Sequence, residues 1–252
     1  GQDDDPPAGA ALTQAFASQG IHLDLDAGVC AVPVSVEVRD DLLEYLLVLP
    51  QGASHESLFV AAGDKAPADQ RAWVETLNAA LLAMGLEAGS NAQWVEKDPR
   101  PTPDEIRDGA PTHDVIPPTG DTFFMYCAWR EEEEVYFYRL EDLITNLATG
   151  RSMRRHGWVY LGSRMVQPRP DEPQEVLAAE LEGNLINLSF FRAGNTLLTA
   201  SLDDCVHQTI WLPNAALTPP RGAPVTLIFT RERLKSLPER LEEQLADAGS
   251  GE

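Results

Sequence analysis

The sequence predicts an α+β protein that is rich in β-strands, with antiparallel or mixed sheets, one helix packed on a sheet and a second helix at the C-terminus. Three observations predict this class. Apolar residues alternate with polar ones in many short segments, two longer segments carry apolar residues at helical spacing, and turn residues separate most segments. With 252 residues, 43% of them hydrophobic, the chain can bury a sizeable core.

The N-terminal part of the chain is predicted to pass from a tether into strands. Residues 1–10 are polar and proline-rich, and we expect a disordered tether left after removal of an export leader. Alternating apolar residues then predict strands over 21–38, with a turn at Ala27-Gly28. Segments 44–49 and 57–62 flank Pro50-Gln51-Gly52, which predicts a hairpin.

Two helices are predicted from apolar residues at helical spacing. The first covers about 67–84 and closes at Gly85. The second is the C-terminal helix at 231–247, which Pro238 would interrupt or restart. Its apolar side is expected to comprise four leucines: Leu234, Leu237, Leu241 and Leu245.

The segment between the first helix and the later strands is irregular. Residues 98–120 contain six prolines and are predicted to be an insertion, which would leave one domain over 21–230 or two β-rich halves. Beyond the insertion, a short helix is predicted at 141–147. Strands are predicted at 122–129, 135–138, 157–166, 176–181, 185–191, 196–202 and 225–230. We recognise no internal repeat.

Charge and cysteine content exclude several classes of function. The 40 acidic residues outnumber the 19 basic ones and give a formal charge of −21, which disfavours a nucleic-acid partner. No stretch has the roughly twenty continuous apolar residues of a membrane span, so no transmembrane segment is predicted. The three cysteines are widely separated, which excludes a four-thiolate cluster and favours buried free thiols, although one disulfide stays open. We expect no cofactor and no bound metal.

One basic cluster stands out in this acidic chain. It contains Arg151, Arg154, Arg155 and His156. These side chains could bind an acidic partner segment, or they could neutralise a neighbouring acidic surface, which is the simpler interpretation.

Several stretches, in this order along the chain, resemble the YdjY-like domain family of exported bacterial proteins. They are LEYLLVLPQGASHESLFV at 43–60, LNAALLAMGLEAG at 77–89, GWVYLGSR at 157–164, LEGNLINL at 181–188 and PPRGAPVTLIF at 219–229. The resemblance implies an exported, periplasmic or envelope-associated domain over about 21–230. It implies no activity, and the ferredoxin-like description given to some relatives does not suit three scattered cysteines.

Polar residues within these stretches are the candidate site. His55, Glu56 and Ser57 lie at the start of a predicted strand, where histidine could bind a ligand or carry a proton. The alternative is that they only fix the strand entry by local hydrogen bonds.

The other candidate residues lie far along the chain. Ser163 and Arg164 could contact an anionic ligand, and Glu182 and Asn184 flank a glycine at a predicted turn.

These candidate residues suggest two functions for the protein. The first is a non-enzymatic module that binds an unknown protein or small molecule at a shared polar patch. The second is a metal-assisted or serine-type hydrolase that uses the His55-Glu56-Ser57 region.

Overall fold

The computed structural model describes residues 8–61, 70–169, 171 and 173–248. In chain order the strands are β1 (His22–Asp24), β2 (Val29–Val36), β3 (Tyr45–Val48), β4 (Ser57–Ala61), β5 (Gln93–Glu96), β6 (His113–Ile116), β7 (Thr122–Glu131), β8 (Glu134–Arg139), β9 (Ile144–Asn146), β10 (Arg151–Ser152), β11 (Trp158–Tyr160), β12 (Met165–Val166), β13 (Val176–Leu177), β14 (Asn184–Asn187), β15 (Leu198–Thr199), β16 (Trp211–Pro213) and β17 (Pro224–Thr230). The helices are α1 (Ala8–Ser18), α2 (Gln70–Ala83), α3 (Pro103–Arg107), α4 (Ala178–Glu182) and α5 (Glu239–Ala248).

Eight strands close into a β-barrel. Their order is β2–β17–β7–β11–β15–β14–β3–β4, and β4 pairs with β2 to complete the ring. The α+β, β-rich class is therefore confirmed, but the mixed sheet is a closed barrel rather than an open sheet. Strands from both sides of residues 98–120 belong to this one barrel, so the two β-rich halves are not separate sheets.

Successive side chains of a barrel strand point alternately into the barrel and to its outer face. In β2, Val32, Val34 and Val36 join the main core, whereas Val29 and Ala31 face a second cluster on the other side of the sheet. Eight strands enclose an interior of about the width that side chains can fill. The barrel interior is accordingly a packed apolar core.

Two helices pack against the two hydrophobic clusters. The buried side of α2 includes Trp73, Leu77 and Leu81, which join the main core. The predicted helix at 67–84 is thus present as Gln70–Ala83; residues 62–69 lie outside the described part of the chain. The second cluster is covered by α5, where Leu241 is fully buried.

The C-terminal helix is shorter than predicted. It begins at Glu239 rather than at residue 231, because Pro238 cannot donate a backbone hydrogen bond and its ring disfavours a helix on its N-terminal side. Leu234 and Leu237 nevertheless pack against the same cluster as Leu241, from an irregular segment. At the other end of the chain, residues 8–10 belong to α1 rather than to a disordered tether, and residues 1–7 are outside the described range.

Two further predictions of secondary structure are wrong. The segment 141–147 forms a 3₁₀ turn followed by β9, because the buried Glu141 carboxylate accepts hydrogen bonds from the Arg139 guanidinium and from the His156 backbone N–H. The predicted strand at 176–181 is only β13 followed by α4, because the Glu180 carboxylate accepts a hydrogen bond from the Leu177 N–H at 3.0 Å and closes the first turn of the helix.

The predicted hairpin at 44–62 is also wrong, since β3 and β4 pair in parallel. Leu49 donates to the Gly183 carbonyl, and Gly52 donates back to the Leu49 carbonyl. After this turn the chain leaves the sheet. A 3₁₀ turn over Ser54–Glu56 then leads into β4. Strands β14 and β15 are parallel in the same way.

These two parallel units are an internal repeat that inspection of the sequence missed. Residues 44–61 and 183–200 align without a gap, as EYLLVLPQGASHESLFVA and GNLINLSFFRAGNTLLTA. The Ser57 hydroxyl donates to the carbonyl two residues further on, and the Thr196 hydroxyl at the matching position does the same. Each second strand also pairs antiparallel with an earlier strand, β2 or β11.

The two units hold each other through equivalent contacts. Leu49 donates to the Gly183 carbonyl, and Leu188, which matches Leu49, donates to the carbonyl of Glu44, which matches Gly183. Between them, β3 and β14 pair antiparallel. A pseudo-twofold axis therefore passes between β3 and β14.

Gly183 is predicted to be irreplaceable at this contact. It has a φ of +72°, and a Cβ there would lie 2.8 Å from the Gly52 backbone nitrogen. We expect Gly183→Ala to lower the free energy of unfolding, measured by urea titration, by about 1–3 kcal/mol more than a matched control does. The control is Gly222→Ala, which has a φ of +83° but open space around its Cβ position. Equal losses in both variants would show that only the backbone conformation matters.

Candidate functional site

A small polar cleft lies beside the second repeat unit. Its volume is about 240 Å³. We call it the amide cleft, and it is lined by Tyr45, Glu182, Asn184, Asn187, Phe191, Arg192, Asn195 and Thr196.

The local fold explains how these side chains meet. Glu182 ends α4, Gly183 caps that helix with a positive φ, and Asn184 begins β14 immediately afterwards. The connection from β14 to β15 supplies Phe191 and Asn195. Tyr45 joins them from the first repeat unit, because β3 lies next to β14 and pairs Tyr45 with Asn187.

Asn195 links three parts of the chain at this cleft. Its side-chain amide donates to the Glu182 carboxylate and accepts from the Arg164 guanidinium. The Ser163 hydroxyl donates to the Asn195 backbone carbonyl at 2.7 Å and accepts from the Ala179 N–H at 3.1 Å. Sequence reasoning did not single out Asn195. Its match to Glu56 in the repeat was the signal that could have found it.

Asn184 connects the cleft to the loop that carries His55. Its side-chain oxygen accepts a hydrogen bond from the Ala53 N–H at 3.0 Å. The structure therefore places Ser163, Arg164, Glu182 and Asn184 around one feature. Glu182 and Asn184 line the cleft itself, and Ser163 and Arg164 support Asn195 behind it.

The remaining candidates lie elsewhere. His55 is 77% exposed, and its Nε2 is 3.4 Å from the Glu56 Oε1. Neither residue lines the amide cleft; His55 instead borders a separate surface depression with Arg39 and Arg221. Ser57 is fully buried, and its hydroxyl donates to the Phe59 carbonyl at 2.8 Å.

The serine hydroxyls do not form a nucleophile–base pair in this geometry. Ser57 and Ser163 both donate to backbone carbonyls, and within the described residues neither hydroxyl bonds to a histidine. A serine nucleophile needs a base within hydrogen-bond reach. The part of the chain that is described also contains no group of three or more metal-ligating side chains.

The cysteines are free thiols in the core. Cys30, Cys127 and Cys205 are all buried. Burial raises the pKa of the Cys30 thiol to about 12, which keeps it protonated at neutral pH.

In addition, no helix of the described segments is both long enough and apolar enough to cross a bilayer.

Aromatic rings form one wall of the amide cleft. Tyr45 and Phe191 stack with ring centroids 5.1 Å apart and planes 8° from parallel. Nearby, the Arg192 guanidinium lies over the Trp94 ring at 5.0 Å. These contacts give the wall a flat apolar surface beside charged groups.

The tyrosine hydroxyl is held in its neutral form. Burial raises the pKa of Tyr45 to about 12, and the negative charges of Glu44, Glu182 and Glu56 add to this effect. At neutral pH the phenol can therefore both donate and accept a hydrogen bond.

Asn187 is the least satisfied group in the cleft wall. It is 2% exposed, and its side-chain oxygen has no hydrogen-bond partner among the residues that the structure describes. At the matching position of the first repeat unit stands Val48, which is fully buried. The barrel thus accommodates an apolar side chain at this position, so packing does not account for the amide.

The first repeat unit packs more tightly at the position that matches the amide cleft. Gly52 takes the position that matches Phe191, and a Cβ on Gly52 would lie 2.5 Å from the Gly183 carbonyl oxygen. The loop therefore packs directly against the neighbouring backbone. The repeat is symmetric in its strands and asymmetric in this loop.

Comparison with known proteins adds no assignment: no family model, no curated protein and no solved structure matches the chain. The resemblance to YdjY-like domains therefore stays a prediction.

The raised pKa of Tyr45 predicts a pH-dependent loss of stability. An unfolded tyrosine ionises near pH 10, whereas Tyr45 in the folded chain ionises near 12. Stability from the neutral phenol is thus complete below pH 10 and is lost as the pH rises from 10 to 12. Urea titrations at pH 9, 10 and 11 should show a steeper decline for the native chain than for Tyr45→Phe. Parallel declines would contradict this assignment.

Proposed function

We propose that the protein is a non-enzymatic binding module whose amide cleft holds a small polar ligand. The observation that carries this proposal is Asn187. A buried amide oxygen without a partner costs stability, and a ligand that donates a hydrogen bond would remove that cost. Concave sites with a few fixed polar groups are typical of small-molecule recognition.

The charges and size of the cleft indicate the class of ligand. Glu182 and Arg192 contribute one negative and one positive charge to the wall, so the ligand is expected to be uncharged overall or zwitterionic. The volume of about 240 Å³ lies below the ~300 Å³ at which drug-sized pockets begin. The rings of Tyr45 and Phe191, which both line the cleft, would contact an apolar side of the ligand. Monosaccharides and neutral amino acids meet these conditions.

Pre-ordered side chains also favour binding. Asn195 and Asn184 are held by hydrogen bonds from separate segments, so little side-chain entropy remains to be lost when a ligand arrives. The hydrolase hypothesis has less support, because the Ser57 and Ser163 hydroxyls are engaged by the backbone.

Membership of the YdjY-like family and export to the periplasm or envelope are further proposals. They rest on the resemblance and on the composition of residues 1–10. Fractionation of cells that produce the protein from its whole gene would test the location, and recovery from the cytoplasm alone would contradict it.

Asn187→Leu is the decisive variant for the binding function. Leucine has the branch point of asparagine but bulkier methyl groups, which the adjoining cleft can admit, and it leaves no polar atom unpaired, so we expect the free energy of unfolding to rise or to fall by less than about 1 kcal/mol. A matched control is Asn146→Leu. Asn146 is also buried, but its side-chain oxygen accepts from the Ala148 N–H at 2.9 Å, so this change should cost about 1–3 kcal/mol.

The same variant tests ligand binding. A thermal-shift panel of monosaccharides and neutral amino acids should contain at least one compound that raises the Tm of the native chain in a saturable manner. Asn187→Leu should abolish that shift, and Asn146→Leu should retain it. If no compound of the panel shifts the Tm of the native chain, or if the shift is undiminished in Asn187→Leu, the proposal is refuted.

A further inference from the structure

A second cleft lies beside the small sheet formed by β10, β9 and β16. Its volume is about 390 Å³. We call it the basic cleft, and its wall includes Asn146, Arg151, Ser152, Arg154, Asp204 and Trp211. None of these residues lines the amide cleft.

Strand register brings three of these residues together. Asn146 in β9 pairs with Arg151 in β10 on one side and with Trp211 in β16 on the other. Directly paired residues on neighbouring strands project to the same face of a sheet. Arg151, Asn146 and Trp211 therefore form a continuous row across this face.

The exposed end of the row carries excess positive charge. Arg151 is exposed, and within the described part of the chain no carboxylate pairs with it. Arg154 is 3.6 Å from Asp204, at the mouth of the same cleft. One carboxylate thus faces two guanidinium groups. Arg155 differs, because it pairs with Asp142 at 2.7 Å and so neutralises an acidic neighbour.

The buried end of the row is an unpaired donor. Trp211 is fully buried, and within residues 8–61, 70–169, 171 and 173–248 its indole Nε1 has no hydrogen-bond partner. The indole N–H can only donate, so it needs an acceptor. Among the described residues of this wall, it is the buried polar atom that lacks one.

We propose that the basic cleft binds a small oxyanion, through carboxylate or phosphate oxygens that accept from Arg151, Arg154 and the Trp211 indole. Guanidinium groups form paired hydrogen bonds with such oxygens. The formal charge of −21 repels anions over long distances, so saturable binding of an anion would have to come from a local arrangement of donors.

The indole N–H gives a direct measurement of this site. The chain has five tryptophans, and Trp211→Phe identifies the Trp211 signal in a ¹H–¹⁵N NMR spectrum. We expect citrate or inorganic phosphate to shift that signal saturably at pH 7, and neutral glycerol to leave it in place.

Matched charge variants complete the test. Arg151→Gln should weaken binding by about tenfold or more, as expected for loss of a charged hydrogen bond. Arg100→Gln removes the same charge from an exposed position outside the cleft and should bind as the native chain does. If neither citrate nor phosphate shifts the signal, or if the two variants bind equally, the proposal is wrong. If Trp211→Phe fails to fold, the proposal is tested by the difference in citrate or phosphate binding between Arg151→Gln and Arg100→Gln.

Discussion

The close approach of Gly52 and Gly183 is the contact on which the barrel and the amide cleft both depend. At this point the loop of the first repeat unit packs against the backbone of the second, with no room for a side chain on either glycine. The approach allows Leu49 to donate to the Gly183 carbonyl and fixes the antiparallel pairing of β3 with β14. It also places Asn184 against the loop of the first unit and Tyr45 against Phe191 of the second.

The two units of the internal repeat differ on the two sides of the pseudo-twofold axis. The loop of the first unit packs closely against its neighbour, and the second unit borders the amide cleft. Both units share apolar strand residues and a hydroxyl that caps the second strand, which is what the barrel requires. They differ at two positions that border the amide cleft in the second unit. Val48 is matched by Asn187, and Gly52 is matched by Phe191. In the second unit these differences supply an amide and an aromatic ring to a cleft, and in the first unit they supply apolar filling and close contact.

The basic cleft and the amide cleft differ in their chemistry. The amide cleft balances a carboxylate against a guanidinium and adds neutral amide and phenol groups. The basic cleft concentrates donors, with two guanidiniums, an indole and one carboxylate. Because the chain as a whole is strongly acidic, each cleft depends on local groups rather than on the overall field.

The sequence by itself determined the β-rich class, the position of α2 and the apolar side of the C-terminal leucines, because these follow from local periodicity. Of the polar residues that the sequence suggested for one shared patch, Glu182 and Asn184 line the amide cleft, whereas His55 and Glu56 do not. Barrel closure, the parallel course of β3 and β4, and the role of Asn195 were decided only by tertiary structure. The barrel also depends on contacts between residues more than a hundred positions apart, such as Leu49 with Gly183 and β3 with β14, and local sequence propensity does not specify such contacts.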